Sequence, residues 1–338
     1  MKILLIGPLP PPYGGTTVSF SSLVKSLKQE LNKNDELEVI NTNVTSTRVL
    51  FLFWSILVSI KKCDVVSLHV GNKGSLVLSP IVFVLAVIFD KKVITRKFGG
   101  VFDRYYNNLN FIFKYLLDYT FFKSELILFQ TKSLISTFES KNQNLRWFPT
   151  SREIDLREFN AKKNDLLRII YVGHIRIEKG ILEIIQASKM LKKVEIDIYG
   201  PFYDSLDESL FSNTTINYKG IINPENVINT MQDYDILLFP TFYNGEGYPG
   251  VIIEAKIAGL AIVTSDWISI SELIDNDENG FLLKPKDVNG IVKCIQRLQQ
   301  DRNYLMDMKT KSYLSAKEFD LNDWSRNFYL MCKEMFNS

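Results

Sequence analysis

Histidine and cysteine are nearly missing from this 338-residue sequence: His69 and His174 are the two histidines, and Cys63, Cys294 and Cys332 the three cysteines. The cysteines stand too far apart for a chelating pair or a disulfide framework. No signal peptide opens the chain, so the expected location is cytoplasmic, at most peripheral on the inner face of the plasma membrane. No apolar run reaches the roughly 20 residues of a membrane-spanning helix. Residues 49–60 and 76–89 come nearest, and the second contains Pro80; both read as core elements of a first domain. Residues 49–60 carry Phe51, Phe53 and Trp54 between Arg48 and Lys61-Lys62, which is also how an interfacial segment reads. A charge excess is lacking too: the net charge is +2, and no nucleic-acid partner is expected. The charge is nonetheless divided, with 20 Lys/Arg against 13 Asp/Glu in residues 1–160 and 20 against 25 in 161–338. A basic first half suits an anionic membrane or acceptor, and scattered solvated lysines account for it equally well.

The dinucleotide fingerprint is also absent. Residues 2–6 read as a short buried strand ended by Gly7, but the following loop, Pro8 through Gly14-Gly15, is not G-x-G-x-x-G. Thr16 or Thr17 is expected to cap the helix behind it.

What is present is a chain long enough for two α/β domains, with 46% apolar and 23% charged residues. Its most informative stretch is 235–265. An apolar run at 236–239 predicts a buried strand, stopped by Pro240. A loop holding Gly245, Gly247 and Gly250 follows, then a helix over 251–258 with Gly259 past its end, then a second strand. A glycine loop entering a helix offers free N–H groups and a positive dipole end to phosphate. Glu246 in the loop and Glu254 about one turn into the helix can accept hydrogen bonds from the hydroxyls of a sugar or ribose.

Pro240-Thr241, Gly247-Tyr248-Pro249-Gly250-Val251 and Glu254-Ala255 through Gly259, with Glu246 and Glu254 eight positions apart, resemble the donor-site signature of retaining glycosyltransferases of family 4. The resemblance implies the GT-B fold, in which two Rossmann-like doubly wound α/β domains face a central cleft. A second match supports it: Gly173-His174-Ile175-Arg176-Ile177-Glu178-Lys179-Gly180 resembles the family's Gly-Arg-x-x-x-Glu-Lys-Gly loop, with His174 where the family has Arg. That loop grips the donor pyrophosphate. The resemblance therefore implies Lys179, Arg176 and Glu246 as catalytic groups, and Glu254, His174 and residues 247–251 on the donor. It further implies Gly14 and Gly15 near the donor, and the strand ends Gly200-Pro201 and Gly220 at the nucleotide base.

Strand-like runs alternating with helical segments over 37–40, 64–70, 92–95 and 126–129 imply parallel βαβ units in the first half. His69, Arg96 and Lys97 stand at strand ends and are the acceptor-side candidates. Where many family members have a histidine before a glycine, this chain has Phe98, so no general base is assigned. The expected domains are 1–155 and 165–320, with a linker at about 150–166 and a final helix over 322–338 that the family folds back onto the first domain. Asp233-Tyr234-Asp235 looks like the metal-binding Asp-x-Asp of the other glycosyltransferase fold, but it precedes a strand rather than following one. It reads as a solvated turn. No metal and no cofactor are expected.

The expected activity is transfer of a sugar, with retention, from a UDP- or GDP-sugar to a saccharide acceptor, lipid-linked, in capsule or O-antigen assembly. Two alternatives stand: a nucleotide-sugar 2-epimerase of the same fold, which needs no acceptor, and a module that binds nucleotide sugar without turnover.

Overall fold

The structure is a computed structural model and describes residues 1–154 and 165–337; most of the expected linker lies outside the described residues. Two compact units are present: Met1–Glu153 with Phe319–Ser338, and Ile154–Glu318.

The first unit is built on a six-stranded parallel sheet. Its strands are β1 (Lys2–Gly7), β2 (Glu36–Asn41), β3 (Val65–Val70), β4 (Lys92–Lys97), β5 (Leu126–Phe129) and β6 (Leu145–Trp147). The spatial order is β2-β1-β3-β4-β5-β6. The central strands β3 and β5 are buried at every position, which parallel strands covered on both faces require, while the edge strands are half-exposed. The helices are α1 (Gly15–Glu30), α2 (Val49–Lys62), α3 (Asn72–Ile88), α4 (Phe102–Asn107), α5 (Phe111–Asp118) and α6 (Lys132–Phe138). Helices α2 to α6 share one apolar layer on the sheet, through residues such as Leu52, Ile56, Val82, Phe102, Leu117 and Phe138. Helix α1 covers the opposite face through Phe20, Leu23 and Leu27. Helix α1 begins at Gly15, with Gly14 as its N-cap. Thr17 is therefore inside the first turn, where its hydroxyl accepts from the Gly14 N–H at 3.0 Å. This corrects the expected threonine cap.

The second unit repeats the architecture with a different strand order. Its strands are β7 (Leu167–Val172), β8 (Val194–Tyr199), β9 (Ile216–Tyr218), β10 (Ile236–Phe239), β11 (Ala261–Ser265) and β12 (Gly280–Leu283). They pair in parallel in the order β12-β11-β10-β7-β8-β9. Helices α7 (Ile181–Met190), α8 (Val227–Met231), α9 (Gly250–Ile257), α10 (Val288–Gln300) and α11 (Arg302–Ser315) flank it. Gly259 closes α9 in the left-handed region, at φ +69°. The chain then returns to the first unit as α12 (Leu321–Asn337), which lies along α1. Phe328, Cys332 and Met335 of α12 enter the core beneath α1, and the Ser26 and Ser325 hydroxyls meet at 2.7 Å.

Asp235 is not solvated, contrary to the expectation. It is fully buried, paired with Lys309 of α11 at 3.0 Å, and accepts from the Arg168 N–H at 3.0 Å. The neighbouring Asp233 is exposed.

Candidate functional site

The strand order of the second unit locates its site. Moving outward from β7, the chain places β8 and β9 on one side and β10, β11 and β12 on the other. In an open parallel sheet, ligands bind beyond the carboxyl ends of the strands where the order reverses, here between β7 and β10. The two loops leaving those strands are 173–180 and 240–249, which carry both of the motifs singled out in the sequence.

Backbone contacts clamp these loops together. The Phe242 N–H donates to the Glu178 carbonyl at 2.8 Å. Gly180 has φ +82°, and a Cβ there would lie 2.3 Å from the Pro240 carbonyl oxygen, so only glycine lets the loops approach this closely. The same reasoning explains Gly200, where a Cβ would come within 1.8 Å of the Gly173 carbonyl oxygen.

On this frame the Lys179 ammonium forms an ion pair and hydrogen bond with Glu246 Oε1. The Thr241 hydroxyl donates to the same oxygen at 3.1 Å. Glu246 is buried, and Lys179 is nearly so. The Tyr243 ring lies 5.0 Å from the Lys179 ammonium and 5.2 Å from the Arg176 guanidinium, so one aromatic ring contacts both cations. Arg176 pairs with Asp204 at 3.0 Å and lies 3.7 Å from Glu178. The His174 ring stacks on Tyr203 at 4.4 Å. Partial desolvation lowers the pKa of His174, and the nearby Lys179 and Arg176 lower it further, although the residue keeps solvent access. Thr241 entered the sequence reading only as part of the Pro240-Thr241 signature, and Tyr243, Tyr203 and Asp204 were not singled out. Pro240-Thr241 and Tyr243 stand inside the motif, whereas Tyr203 and Asp204 carry no local signal.

Helix α9 starts at Gly250 behind Pro249, with no side chain capping its first turn. Tyr248 is buried and its hydroxyl donates to Glu272. Val251 and Glu254 are half-buried on α9. The arrangement gathers cationic donors, a buried carboxylate and a helix start, chemistry that fits an anion bearing hydroxyl groups.

At the base-side positions the backbone is already engaged. The Gly200 N–H donates to the Gly220 carbonyl at 2.9 Å, and the Pro201 carbonyl accepts from the Ile175 N–H at 2.9 Å.

In the first unit Gly14 and Gly15 open α1, and a Cβ at either would meet nothing within 4 Å. Nothing in the folded unit demands glycine there.

The acceptor-side candidates are all in the core. His69 lies inside β3 against Phe20 and Phe328, with Nε2 3.0 Å from the Ser67 hydroxyl and Nδ1 without a hydrogen-bond partner. Burial, reinforced by Arg96, holds its pKa well below the ordinary histidine value. Arg96 is sandwiched between Phe98 and Phe148 and donates to Ser19 at 3.2 Å and to the Pro149 carbonyl at 3.1 Å. Lys97 donates to Asn72 Oδ1 at 2.8 Å and to the Phe98 carbonyl, and burial lowers its pKa to about 7. The sequence places Arg96 and Lys97 beyond a strand ending at Thr95; the strand instead runs on through both and buries them. Phe98 is buried as well and supplies no proton-transfer group.

Residues 152–315 match the family of glycosyl transferases group 1. The capsular polysaccharide biosynthesis glycosyltransferase CapM of Staphylococcus aureus is 30% identical over 154 residues, 43% of this chain and 40% of that protein. The N,N'-diacetylbacillosaminyl-diphospho-undecaprenol alpha-1,3-N-acetylgalactosaminyltransferase of Campylobacter jejuni is 25% identical over 198 residues, 56% of this chain and 51% of that protein. The chain thus spans about half the length of the curated relatives it matches. Among solved structures, Anabaena HepE in complex with UDP superposes with a TM-score of 0.77 at 12% identity, covering 99% of this chain and 100% of that one. That likeness shows the GT-B fold, and within it residues 152–315 are similar to the group 1 glycosyl transferases.

Proposed function

We propose that the protein is a retaining, metal-independent glycosyltransferase that moves a sugar from a nucleoside-diphosphate sugar to a lipid-linked saccharide in surface-polysaccharide assembly. The observation that carries this reading is the Lys179–Glu246 pair at the β7/β10 switch point, beside the uncapped start of α9. The printed names of relatives support the wider context: one makes capsular polysaccharide, and another acts on a diphospho-undecaprenol-linked sugar. The neighbour that holds UDP favours a uridine donor over a guanosine one.

In this reading Lys179 and Arg176 neutralise the departing diphosphate, each through charge-assisted hydrogen bonds worth roughly 1.5–3 kcal/mol. The N–H groups at the start of α9 add a fixed positive field where charge develops. Glu246 accepts from the hydroxyls of the transferred sugar, and Glu254 from those of the ribose. The bond from the anomeric carbon to the diphosphate oxygen breaks, and the bond from the acceptor oxygen to that carbon forms on the same face. The acceptor's proton passes to the leaving phosphate oxygen. This route needs no protein base, which suits Phe98 in place of the family histidine. Gly14 and Gly15 leave open space at the α1 start for a ligand to approach the backbone.

The test is thermal stabilisation by UDP, GDP and their sugars, without divalent metal, on the wild-type chain and on Glu254→Ala. Mass action at 100 times Kd stabilises by about 2.7 kcal/mol. A shift with one nucleotide family that disappears in Glu254→Ala is the expected outcome. No shift with any nucleotide overturns the donor assignment.

A further inference from the structure

The outer surface of the helical layer over the first sheet is apolar where a soluble protein needs it polar. Helix α3 packs between α2 and α5, so the three form one continuous face. Helix α2 buries Leu52, Ile56 and Ile60 and turns Leu50, Phe51 and Trp54 outward, with Leu50 84% and Trp54 62% exposed. On α5, Phe111 is 80% exposed, and Ile112 and Tyr115 stand beside it. Val84 and Ile88, one turn apart, continue the apolar surface on α3. Contiguous exposure of this kind marks an interaction surface.

The charge around it selects the partner. Asp118 is the one acidic residue in α2, α3 and α5, and it is paired with Lys141 at 2.8 Å. The exposed basic residues are Arg48 ahead of α2, Lys61 and Lys62 at its end, and Lys73 in the first turn of α3. A groove of about 480 Å³ along α5 is lined by Phe111, Ile112 and Tyr115 with Tyr106 of α4, and by Lys114 beside the Asp118 that Lys141 neutralises. Aromatic and aliphatic side chains rimmed by cations match the interface of an anionic bilayer, where rings sit at headgroup depth and lysines meet phosphate. Among the described residues no helix is long and apolar enough to cross a membrane, so the contact is a surface one.

We propose that the α2–α3–α5 face docks the protein on an anionic lipid bilayer. The N-termini of α2 and α3 lie at the carboxyl ends of β2 and β3, the rim that also carries the Gly14-Gly15 loop. Docking through this face would hold that rim beside lipid headgroups. The purpose of the contact rests on the lipid-linked acceptor reading above, whereas the surface itself does not.

The experiment is co-sedimentation of the full chain with vesicles of phosphatidylglycerol and phosphatidylcholine in equal parts, and with phosphatidylcholine alone. Binding to the anionic vesicles is expected, with a blue shift of tryptophan emission that Trp54→Phe removes. Raising salt from 0.1 to 0.5 M should weaken it by roughly fivefold or more, because a shorter Debye length screens the lysines. The pairs Phe51→Ser with Trp54→Ser, and Phe111→Ser with Ile112→Ser, should each reduce partitioning by about tenfold while circular dichroism and Tm stay unchanged. Leu314→Ser, at an exposed site in the second unit, should leave partitioning unaltered. No pelleting with anionic vesicles, or equal pelleting with neutral ones, overturns the proposal. So does a concentration-dependent dimer that the serine variants abolish, since the face would then join two copies of the chain. UDP-dependent stabilisation measured on the same variants separates the two readings: if it persists while vesicle binding is absent, docking alone falls.

Discussion

Lys179 and Glu246 are 67 positions apart in the chain, yet each is the other's ion-pair partner. A lysine freed from this pair would leave a carboxylate held only by the Thr241 hydroxyl in a mostly buried place. Breaking a fully buried ion pair costs about 3–5 kcal/mol, and the remaining solvent access here reduces that to about 2–3 kcal/mol. Lys179→Met should therefore lower stability in urea denaturation by that amount. Adding Glu246→Gln should recover part of it, because the orphaned charge is gone. If the pair serves the fold alone, the double variant should still be stabilised by nucleotide. In the donor-site reading it should not be, since both the phosphate cation and the sugar carboxylate are lost. Ligand stabilisation of the double variant equal to wild type would sink the assignment of both residues.

At the scale of elements, much of the chain was legible because parallel strands are buried on both faces and read as apolar runs. Residues 126–129 and 236–239 were bounded correctly on that ground, and both strands are buried at every position. The loops of the candidate site were legible for a different reason: glycines and charged residues interrupt the pattern where backbone must approach a ligand. What local pattern could not carry was pairing between distant segments. Asp235 looked solvated because its partner Lys309 lies 74 positions away. Arg96 and Lys97 looked like surface residues because a cation at the end of a strand usually is one; here rings and neutral oxygens enclose them. The C-terminal helix α12 shows the same limit. Its amphipathic pattern announces a helix, but only the fold shows that Phe328 sits against His69 and Phe148 in the first unit. Truncating Phe328 to Ala should cost about 3–5 kcal/mol, the range for a buried phenylalanine that leaves a cavity. Thermal unfolding would register it, and a loss below about 1 kcal/mol would show that α12 is not integral to that core.

On the scale of the whole molecule, buried titratable groups of opposite sense set how stability varies with pH. Burial lowers the Lys97 ammonium to about 7 and the Lys256 ammonium to about 8 from an ordinary 10.5. Between those values and 10.5 the unfolded chain binds more protons than the folded one, so stability rises with pH. From pH 7 to 9 a lysine shifted like Lys97 contributes a rise of about 2 kcal/mol, and below its folded pKa the penalty for burying the charge is felt in full. Thiols that lose solvent on folding act the other way, Cys63 being buried and Cys294 half-buried. Cys63 and Cys294 are pushed up to about 11 from 9.0, so above pH 9 the unfolded chain releases protons that the folded chain retains, and stability falls. Burial raises Tyr171 and Tyr234 as well, which steepens the decline above pH 10. The stability curve is therefore expected to climb from neutral pH to a maximum near pH 9 and then drop. Urea denaturation in steps from pH 6.5 to 10.5 measures it directly. Lys97→Met isolates the first contribution: removing a charge that the fold cannot solvate should raise stability most at pH 6.5 and make the climb shallower. A variant curve parallel to wild type between pH 7 and 9 would mean that Lys97 stays protonated in the folded chain. Its neutral oxygens, Asn72 Oδ1 and the Phe98 carbonyl, with the Phe102 ring 4.7 Å away, would then suffice to hold a full positive charge in the core.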